Sequence, residues 1–242
     1  MGSGAGARHR YTADTAELYG MLGIEGTTYQ IGFDAVRELL GNVNGQTLLD
    51  FGCGAGRSTA FLKGLGAGHV YGVDHDRNMI DQAQSQEVGG VTFICIDGPI
   101  PLPDASLDGA VSLNVFIEIR TPGEMRSACA EIARTLRPGS PFVLESSSAM
   151  AFGHTFRNYR YPATGPLRSG DTTPCIVTTP GGQFTITDTY WTEDDYVDAV
   201  EHAGLTVTTI AYPMPPDPSA WSTDEASVPP CMLIKATKPE RG

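Results

Sequence analysis

Three glycines at alternate positions follow a short apolar segment of this chain. The stretch from Leu48 to Arg57 reads LLDFGCGAGR and contains Gly52, Gly54 and Gly56. Glycine adopts positive φ readily and has no side chain, so a strand ending near Asp50 can turn sharply while its backbone approaches a ligand. A helix predicted from Arg57 to Leu65 would add unpaired N–H groups and a positive dipole end. Asp50 could receive a cationic group and the helix N-terminus an anionic one. The turn therefore predicts a site for a zwitterionic ligand.

Two other interpretations of the glycine run are open. The nicotinamide fingerprint G-x-G-x-x-G needs a third small residue, where this chain has Arg57, and a bulky cation there obstructs close packing of helix and strand. Alternatively, the glycines form a strand-to-helix turn that binds nothing.

The spelling D-x-G-x-G-x-G, from Asp50 to Gly56, resembles the first motif of class I S-adenosylmethionine-dependent methyltransferases. The resemblance implies that S-adenosylmethionine (SAM) is the cofactor and is bound by Asp50, Gly52, Gly54 and Gly56.

A second strand, ending at Asp74, supplies the next predicted contact. A carboxylate about 20 residues beyond the glycine loop can accept hydrogen bonds from both ribose hydroxyls. His75 and Met79 follow and would flank the adenine, by stacking and by sulfur–aromatic contact. The alternative for Met79 is ordinary core packing, because it shares helical spacing with Ile80 and Ala83.

The third strand runs into Asp97 and Gly98, followed by LPDASLD. Small-molecule methyltransferases carry a similar phrase, and the resemblance implies that Asp97 accepts from the adenine amino group while the Gly98 N–H meets the ring. The fourth strand ends at Asn114, whose amide oxygen is predicted to bind the SAM ammonium. The alternative is that Asn114 caps the next helix or turn.

Strands alternating with helical patterns predict an α/β fold with a mostly parallel sheet and its ligand crevice at the carboxyl ends of the strands. Further similarities follow in family order to Lys238, including LRPGSPF from Leu136. The resemblance implies a Rossmann-like class I methyltransferase domain spanning 1–242, with a seven-stranded sheet, an antiparallel last strand and helices on both faces.

Composition limits the partners. A net charge of −12 and a sequence pI of about 4.7 disfavour nucleic-acid binding. Without a membrane-length apolar run or a signal peptide, we expect no membrane contact and a cytoplasmic location. Five scattered cysteines indicate reduced core residues rather than disulfides or a metal site. We expect a monomer or homodimer acting on a small-molecule acceptor.

Two segments outside the family core are expected to define the acceptor site. Residues 1–45 are predicted to form lid helices, because the segment from Tyr11 to Tyr19 resembles the lid helix of small-molecule methyltransferases, although its two tyrosines are eight positions apart. The resemblance implies that Tyr19 covers SAM, unless Tyr11 and Tyr19 are only packing residues. Residues 146–183 are predicted to form a substrate-cap insertion. Within it, His154 is the candidate general base, with a solvated loop histidine as the alternative.

The predicted function is transfer of a methyl group from SAM to oxygen, nitrogen or carbon of a small metabolite. Positioning can supply most of the rate, because effective molarities of well-oriented groups reach about 10⁵–10⁸ M. Three alternatives stay open: cyclisation of the SAM aminobutyrate arm with release of methylthioadenosine, a non-catalytic SAM-binding module, and a nicotinamide oxidoreductase.

Overall fold

The computed structural model describes residues 11–162 and 165–240, which contain six α-helices and ten β-strands. The helices are α1 (Ala13–Gly20), α2 (Tyr29–Leu40), α3 (Arg57–Gly64), α4 (Arg77–Gln84), α5 (Pro122–Thr135) and α6 (Glu193–His202). The strands are β1 (Thr47–Phe51), β2 (His69–Asp74), β3 (Val91–Cys95), β4 (Gly109–Leu113), β5 (Pro141–Ser147), β6 (Tyr159–Arg160), β7 (Thr172–Thr179), β8 (Gly182–Thr189), β9 (Thr206–Ala211) and β10 (Cys231–Thr237).

Seven strands form the main sheet in the order β3-β2-β1-β4-β5-β10-β9. The pairs from β3 to β5 are parallel, whereas β10 is antiparallel to both β5 and β9. The predicted fold is therefore confirmed, including the antiparallel last strand. Because the parallel strands share one direction, β1, β2, β3 and β4 all end at the same edge of the sheet.

Both faces of the sheet are covered by helices. Leu48 of β1 packs into a cluster with α2 and α3, while Leu49, one residue later, packs into a second cluster with α5 and α6. Successive side chains of a strand point to opposite faces, so a strand that is apolar on both faces is buried on both.

Local sequence determines where the outer helices begin. Thr121 accepts a hydrogen bond from the Glu124 N–H at the start of α5, and Pro122 occupies the first turn, where its missing N–H costs nothing. At α6, Thr192 and Asp195 form a reciprocal capping box.

A second sheet, β6-β7-β8, forms the cap. The predicted cap segment, 146–183, begins inside β5 and ends inside β8, whereas the cap sheet itself extends to Thr189. The reason is the hairpin itself: β7 and β8 pair continuously from Thr172↔Thr189 to Thr179↔Gly182. The lid prediction for 1–45 covers two different helices: α1 lies against α4 and β8, whereas α2 packs on β5 and β10. Residues 1–10 of that segment lie outside the described residues.

No helix in the described part of the chain is both long enough and apolar enough to cross a lipid bilayer.

Candidate functional site

A cavity of about 1250 Å³ lies at the edge where the parallel strands end. It exceeds the roughly 300–1,000 Å³ typical of one drug-sized ligand, so it has room for a cofactor and part of a second molecule. Eight of the twelve side chains or glycines predicted for the site line it: Tyr19, Gly52, Gly54, Asp74, His75, Met79, Gly98 and Asn114.

The glycine loop follows β1 and adopts conformations that only glycine accepts easily. Gly52 has φ +75°, and a Cβ there would lie 2.2 Å from a methyl group of Val115. Gly54 has φ +50° with open space where its Cβ would stand, so the backbone itself forms the cavity wall. Gly56, at the N-cap of α3, offers no side chain to the free N–H groups of the first turn.

Asp74 ends β2 beside this loop. Its Oδ2 accepts from the Gly54 N–H at 2.9 Å and its Oδ1 from the Asp76 N–H at 2.8 Å. Each carboxylate oxygen keeps a second lone pair for a ligand hydroxyl. Desolvation by burial raises the pKa of Asp74, while these two N–H groups and His75 oppose that shift.

His75 and Met79 lie on the same side of the cavity. His75 Nδ1 is 3.5 Å from Asp74 Oδ1. Met79 is 2% exposed, packs into the core cluster of α2 and α3, and also lines the cavity. The two interpretations of Met79, core residue and ligand contact, are therefore compatible.

Asn114 follows β4 in a left-handed conformation, φ +59°. Its Nδ2 donates to Glu145 Oε2 at 3.1 Å, so the buried Glu145 holds the side-chain amide. Asn114 lines the cavity and does not cap an α-helix. Burial raises the pKa of Glu145 to about 7.

Helix α1 and the two residues before it bring two tyrosines, Tyr11 and Tyr19, to the cavity wall. Tyr11 and Tyr19 meet edge to face, 5.9 Å between ring centroids. The Arg57 guanidinium lies 4.9 Å from the Tyr19 ring centroid and 4.1 Å from that of Tyr29, and its Nη2 donates to the Tyr19 hydroxyl at 3.2 Å. Arg57 therefore joins the lid to the glycine loop and places a cation at the cavity wall.

Sequence reasoning missed two carboxylates near the lid. Glu118 lines the cavity, and its Oε1 accepts from the Tyr11 hydroxyl at 2.7 Å. Burial raises its pKa to about 8. Asp188, on β8, accepts from the Tyr161 hydroxyl at 2.6 Å, and burial raises its pKa to about 6. The one available signal was an acid within the apolar run FIEI, which places Glu118 just past β4.

Four predicted site residues do not line the cavity, and Asp50 is the first correction. Its side chain is fully buried, and its Oδ2 accepts from the hydroxyls of Ser58 and Thr59 at 2.7 and 2.5 Å. The carboxylate therefore fixes the start of α3 to β1 instead of facing a ligand. Gly56 does not line the cavity either; a Cβ there would lie 3.1 Å from Phe93 and 3.3 Å from Ala83, so close packing favours glycine at this position.

Asp97 and His154 are the other two predicted residues that do not line the cavity. Asp97 stands beyond the end of β3 and is exposed, whereas Gly98 next to it reaches the cavity. His154 Nδ1 lies 3.1 Å from Asp224 Oδ2 on the outer side of the cap, and its side chain is 40% exposed. Neither side chain lines the cavity, so the structure adds no support to either predicted role.

The cavity lining suits SAM, the cofactor that the resemblance implies. Open space over Gly54 and Gly98 admits a ligand against bare backbone, and Asp74 retains acceptor capacity for hydroxyls. Arg57 and the first turn of α3 offer donors to a carboxylate, and the Asn114 amide oxygen offers an acceptor to an ammonium. When bound, SAM supplies an electrophilic methyl group on sulfur.

The comparisons with known proteins point to methyltransferases. A family model described as "Methyltransferase domain" matches residues 49–144. N-demethylindolmycin N-methyltransferase of Streptomyces griseus is 28% identical over 235 residues, covering 93% of this chain and 97% of that protein. An O-methyltransferase of Aspergillus nomiae is 35% identical over 115 residues. The aligned residues cover 45% of this chain and 50% of that protein.

A solved structure shows the same fold. The S-adenosylmethionine-dependent methyltransferase from Mesorhizobium loti superposes with a TM-score of 0.66 at 21% identity, covering 89% of this chain and 100% of that one. The family model spans the strands that carry the glycine loop, Asp74 and Asn114, and the Streptomyces relative aligns along nearly the whole chain. Together these similarities support a class I S-adenosylmethionine-dependent methyltransferase and imply S-adenosylmethionine as its cofactor.

Proposed function

We propose that this protein transfers the methyl group of SAM to an oxygen, nitrogen or carbon atom of a small-molecule acceptor. The observation that supports the proposal most strongly is that one cavity contains both parts of the site. The residues that suit SAM and the residues under Tyr11 and Tyr19 line the same cavity. The two relatives named above are an N-methyltransferase and an O-methyltransferase, which supports a small acceptor.

The roles follow the positions of the side chains. Asp74 accepts from the ribose hydroxyls, Asn114 from the ammonium, and Arg57 with the first turn of α3 donates to the carboxylate. Tyr19 covers this end of the cofactor, held by Arg57. The lid and the cap sheet exclude water from the acceptor, so that orientation supplies most of the rate.

The test is product analysis. The purified protein is incubated with SAM and a panel of amines and phenols that includes N-demethylindolmycin, and the nucleoside products are separated by chromatography. Acceptor-dependent formation of S-adenosylhomocysteine supports methyl transfer. Release of methylthioadenosine would instead show attack within SAM, and tight SAM binding with no product would show a non-catalytic module.

A further inference from the structure

A second, much smaller cavity adjoins the large one on the side of the cap. Its volume is about 30 Å³, and it shares Tyr19, Asn114 and Glu118 with the lining of the large cavity. This volume admits one water-sized group, because a water needs at least about 10–15 Å³ of such space. We call it the chamber; its other lining residues are Tyr29, Ile117, Ser147, Tyr159, Tyr161, Cys175, Val177, Ile186 and Asp188.

The chamber is acidic and aromatic. Glu118 and Asp188 supply the only carboxyl groups among its described lining residues, and four tyrosine rings surround them. Carboxylates removed from water are costly unless a cation or a hydrogen-bond donor meets them. Tyrosine faces attract cations as well. The lining therefore favours a positively charged, donor-rich group of about the size of a water molecule.

Both carboxylates retain capacity to accept. Asp188 is 2% exposed, and its Oδ1 has no N–H or O–H partner among the described residues, although the Cys175 thiol lies beside the carboxylate. The Tyr11 hydroxyl donates to Glu118 Oε1, and a carboxylate oxygen can accept more than one hydrogen bond. An unbonded buried acceptor in a cavity wall costs free energy that a bound donor would recover.

The nearest arginine does not neutralise the pair. Arg120 donates its Nη1 to Thr189 Oγ1 at 3.0 Å and its Nη2 to the Thr187 carbonyl at 2.8 Å, which ties it to β8. It acts on Glu118 and Asp188 only through space, and each carboxylate keeps a raised pKa because of burial.

We propose that the acceptor is an amine whose nitrogen enters the chamber beside Glu118 and Asp188, with its apolar body in the large cavity, and that Glu118 removes a proton from it. This rests on the methyl-transfer function proposed above. When the ammonium binds, Glu118 first releases its own proton to solvent; in the step that follows, one N–H bond of the ammonium breaks, its electron pair stays on nitrogen, and the proton binds a Glu118 oxygen. A cation and an anion become two neutral groups, and the nitrogen gains the lone pair that methylation needs.

The test compares two probes of one shape in the presence of S-adenosylhomocysteine. Phenethylamine carries the ammonium, and phenethyl alcohol replaces it by a neutral hydroxyl. Calorimetry should show the amine binding at least about tenfold more tightly, since charge-assisted hydrogen bonds are the stronger ones. Glu118→Gln and Asp188→Asn should each remove most of that preference, whereas Glu201→Gln on the exposed face of α6 should keep it.

Proton release gives a second readout that a merely structural role would not change. Near pH 7 Glu118 is mostly protonated, because its pKa is about 8. Binding an ammonium should expel about one proton, seen as a dependence of the binding heat on buffer. The groups acting on Glu118 are Tyr11, Asp188, Asp74 and Arg120. Glu118→Gln should abolish the release.

The outcomes separate the two proposals. Normal binding of S-adenosylhomocysteine with equal affinity for both probes, or with no binding of the amine, overturns the chamber assignment and leaves methyl transfer intact. Failure to bind S-adenosylhomocysteine at all counts against the cofactor site. In the variants, unchanged affinity for S-adenosylhomocysteine shows that the protein still folds.

Discussion

Asn114 and Glu145 are joined by two hydrogen bonds. The backbone N–H of Asn114 donates to the Glu145 carbonyl at 2.9 Å, and the side-chain Nδ2 donates to Glu145 Oε2 at 3.1 Å. Together they hold Asn114 in its left-handed conformation, which costs free energy for most residues other than glycine. Because Nδ2 is occupied, the amide oxygen remains for a ligand. Glu145 is thus a positioning residue for the predicted ammonium contact.

A substitution at Gly32 tests whether Glu145 positions Asn114. A Cβ at Gly32, in α2, would lie 2.3 Å from Glu145 Oε1, so Gly32→Ala must displace the carboxylate. We expect a loss of about 1–3 kcal/mol of stability and weaker binding of S-adenosylhomocysteine by calorimetry. Gly64→Ala is the matched control: its Cβ meets nothing within 4 Å, and the helix should gain up to about 1 kcal/mol. Unchanged binding in Gly32→Ala would show that Glu145 does not position Asn114.

Substitutions at Arg57 test its predicted contact with the carboxylate of SAM. Arg57→Met keeps the length of the side chain and removes the cation, so affinity for S-adenosylhomocysteine should fall about tenfold or more. Methylthioadenosine lacks the amino-acid carboxylate and should bind with unchanged affinity. Arg57→Lys should retain part of the affinity, since it restores the charge without the planar fork. An equal loss for both nucleosides would assign Arg57 to packing of the lid.

Buried carboxylates predict how stability varies with pH. Burial raises the pKa of Glu118 from 4.5 to about 8 and that of Glu145 from 4.5 to about 7. The folded state then holds more protons than the unfolded state between these values, so stability falls as pH rises from about 4.5 to 8. The urea midpoint of the free protein should therefore be lower at pH 8.5 than at pH 5.5. Glu118→Gln should flatten the upper part of this curve, and a midpoint that rises with pH would contradict the assignment.

His154 was predicted as a general base because it is a histidine in the loop that follows β5, yet it pairs with Asp224 outside the cavity. We therefore expect His154→Ala to change turnover by no more than about twofold, because the ion pair is half exposed and such pairs contribute little. Steady-state kinetics with the acceptor found by product analysis provide the measurement. A large loss of turnover at normal stability would restore His154 to the reaction.

The position of the site was predictable because the carboxyl ends of parallel strands lie at the same edge of a sheet. The glycine loop, Asp74, Gly98 and Asn114 follow four successive strands in the sequence, and each reaches the cavity. A pattern does not tell which way a carboxylate turns, however. Asp50 faces Ser58 and Thr59, and these hydroxyls eight and nine residues later were the available signal of a buried cap.

The acceptor side was less predictable because it depends on contacts between distant segments. Asp188 reaches the chamber only through the β7–β8 hairpin, and Tyr11 meets Glu118 across 107 positions of sequence. Arg57 was interpreted from the sequence only as an obstacle to a nicotinamide motif. Its position between two tyrosine rings requires α1 and α2 to fold over the glycine loop.

The most direct test of the whole account is a crystal structure of the complex with S-adenosylhomocysteine. We predict the ribose hydroxyls within hydrogen-bond distance of Asp74, the amino group at the Asn114 amide oxygen and the carboxylate near Arg57. A nucleoside bound outside the cavity, or one that leaves Asp74 without a ligand contact, would contradict it.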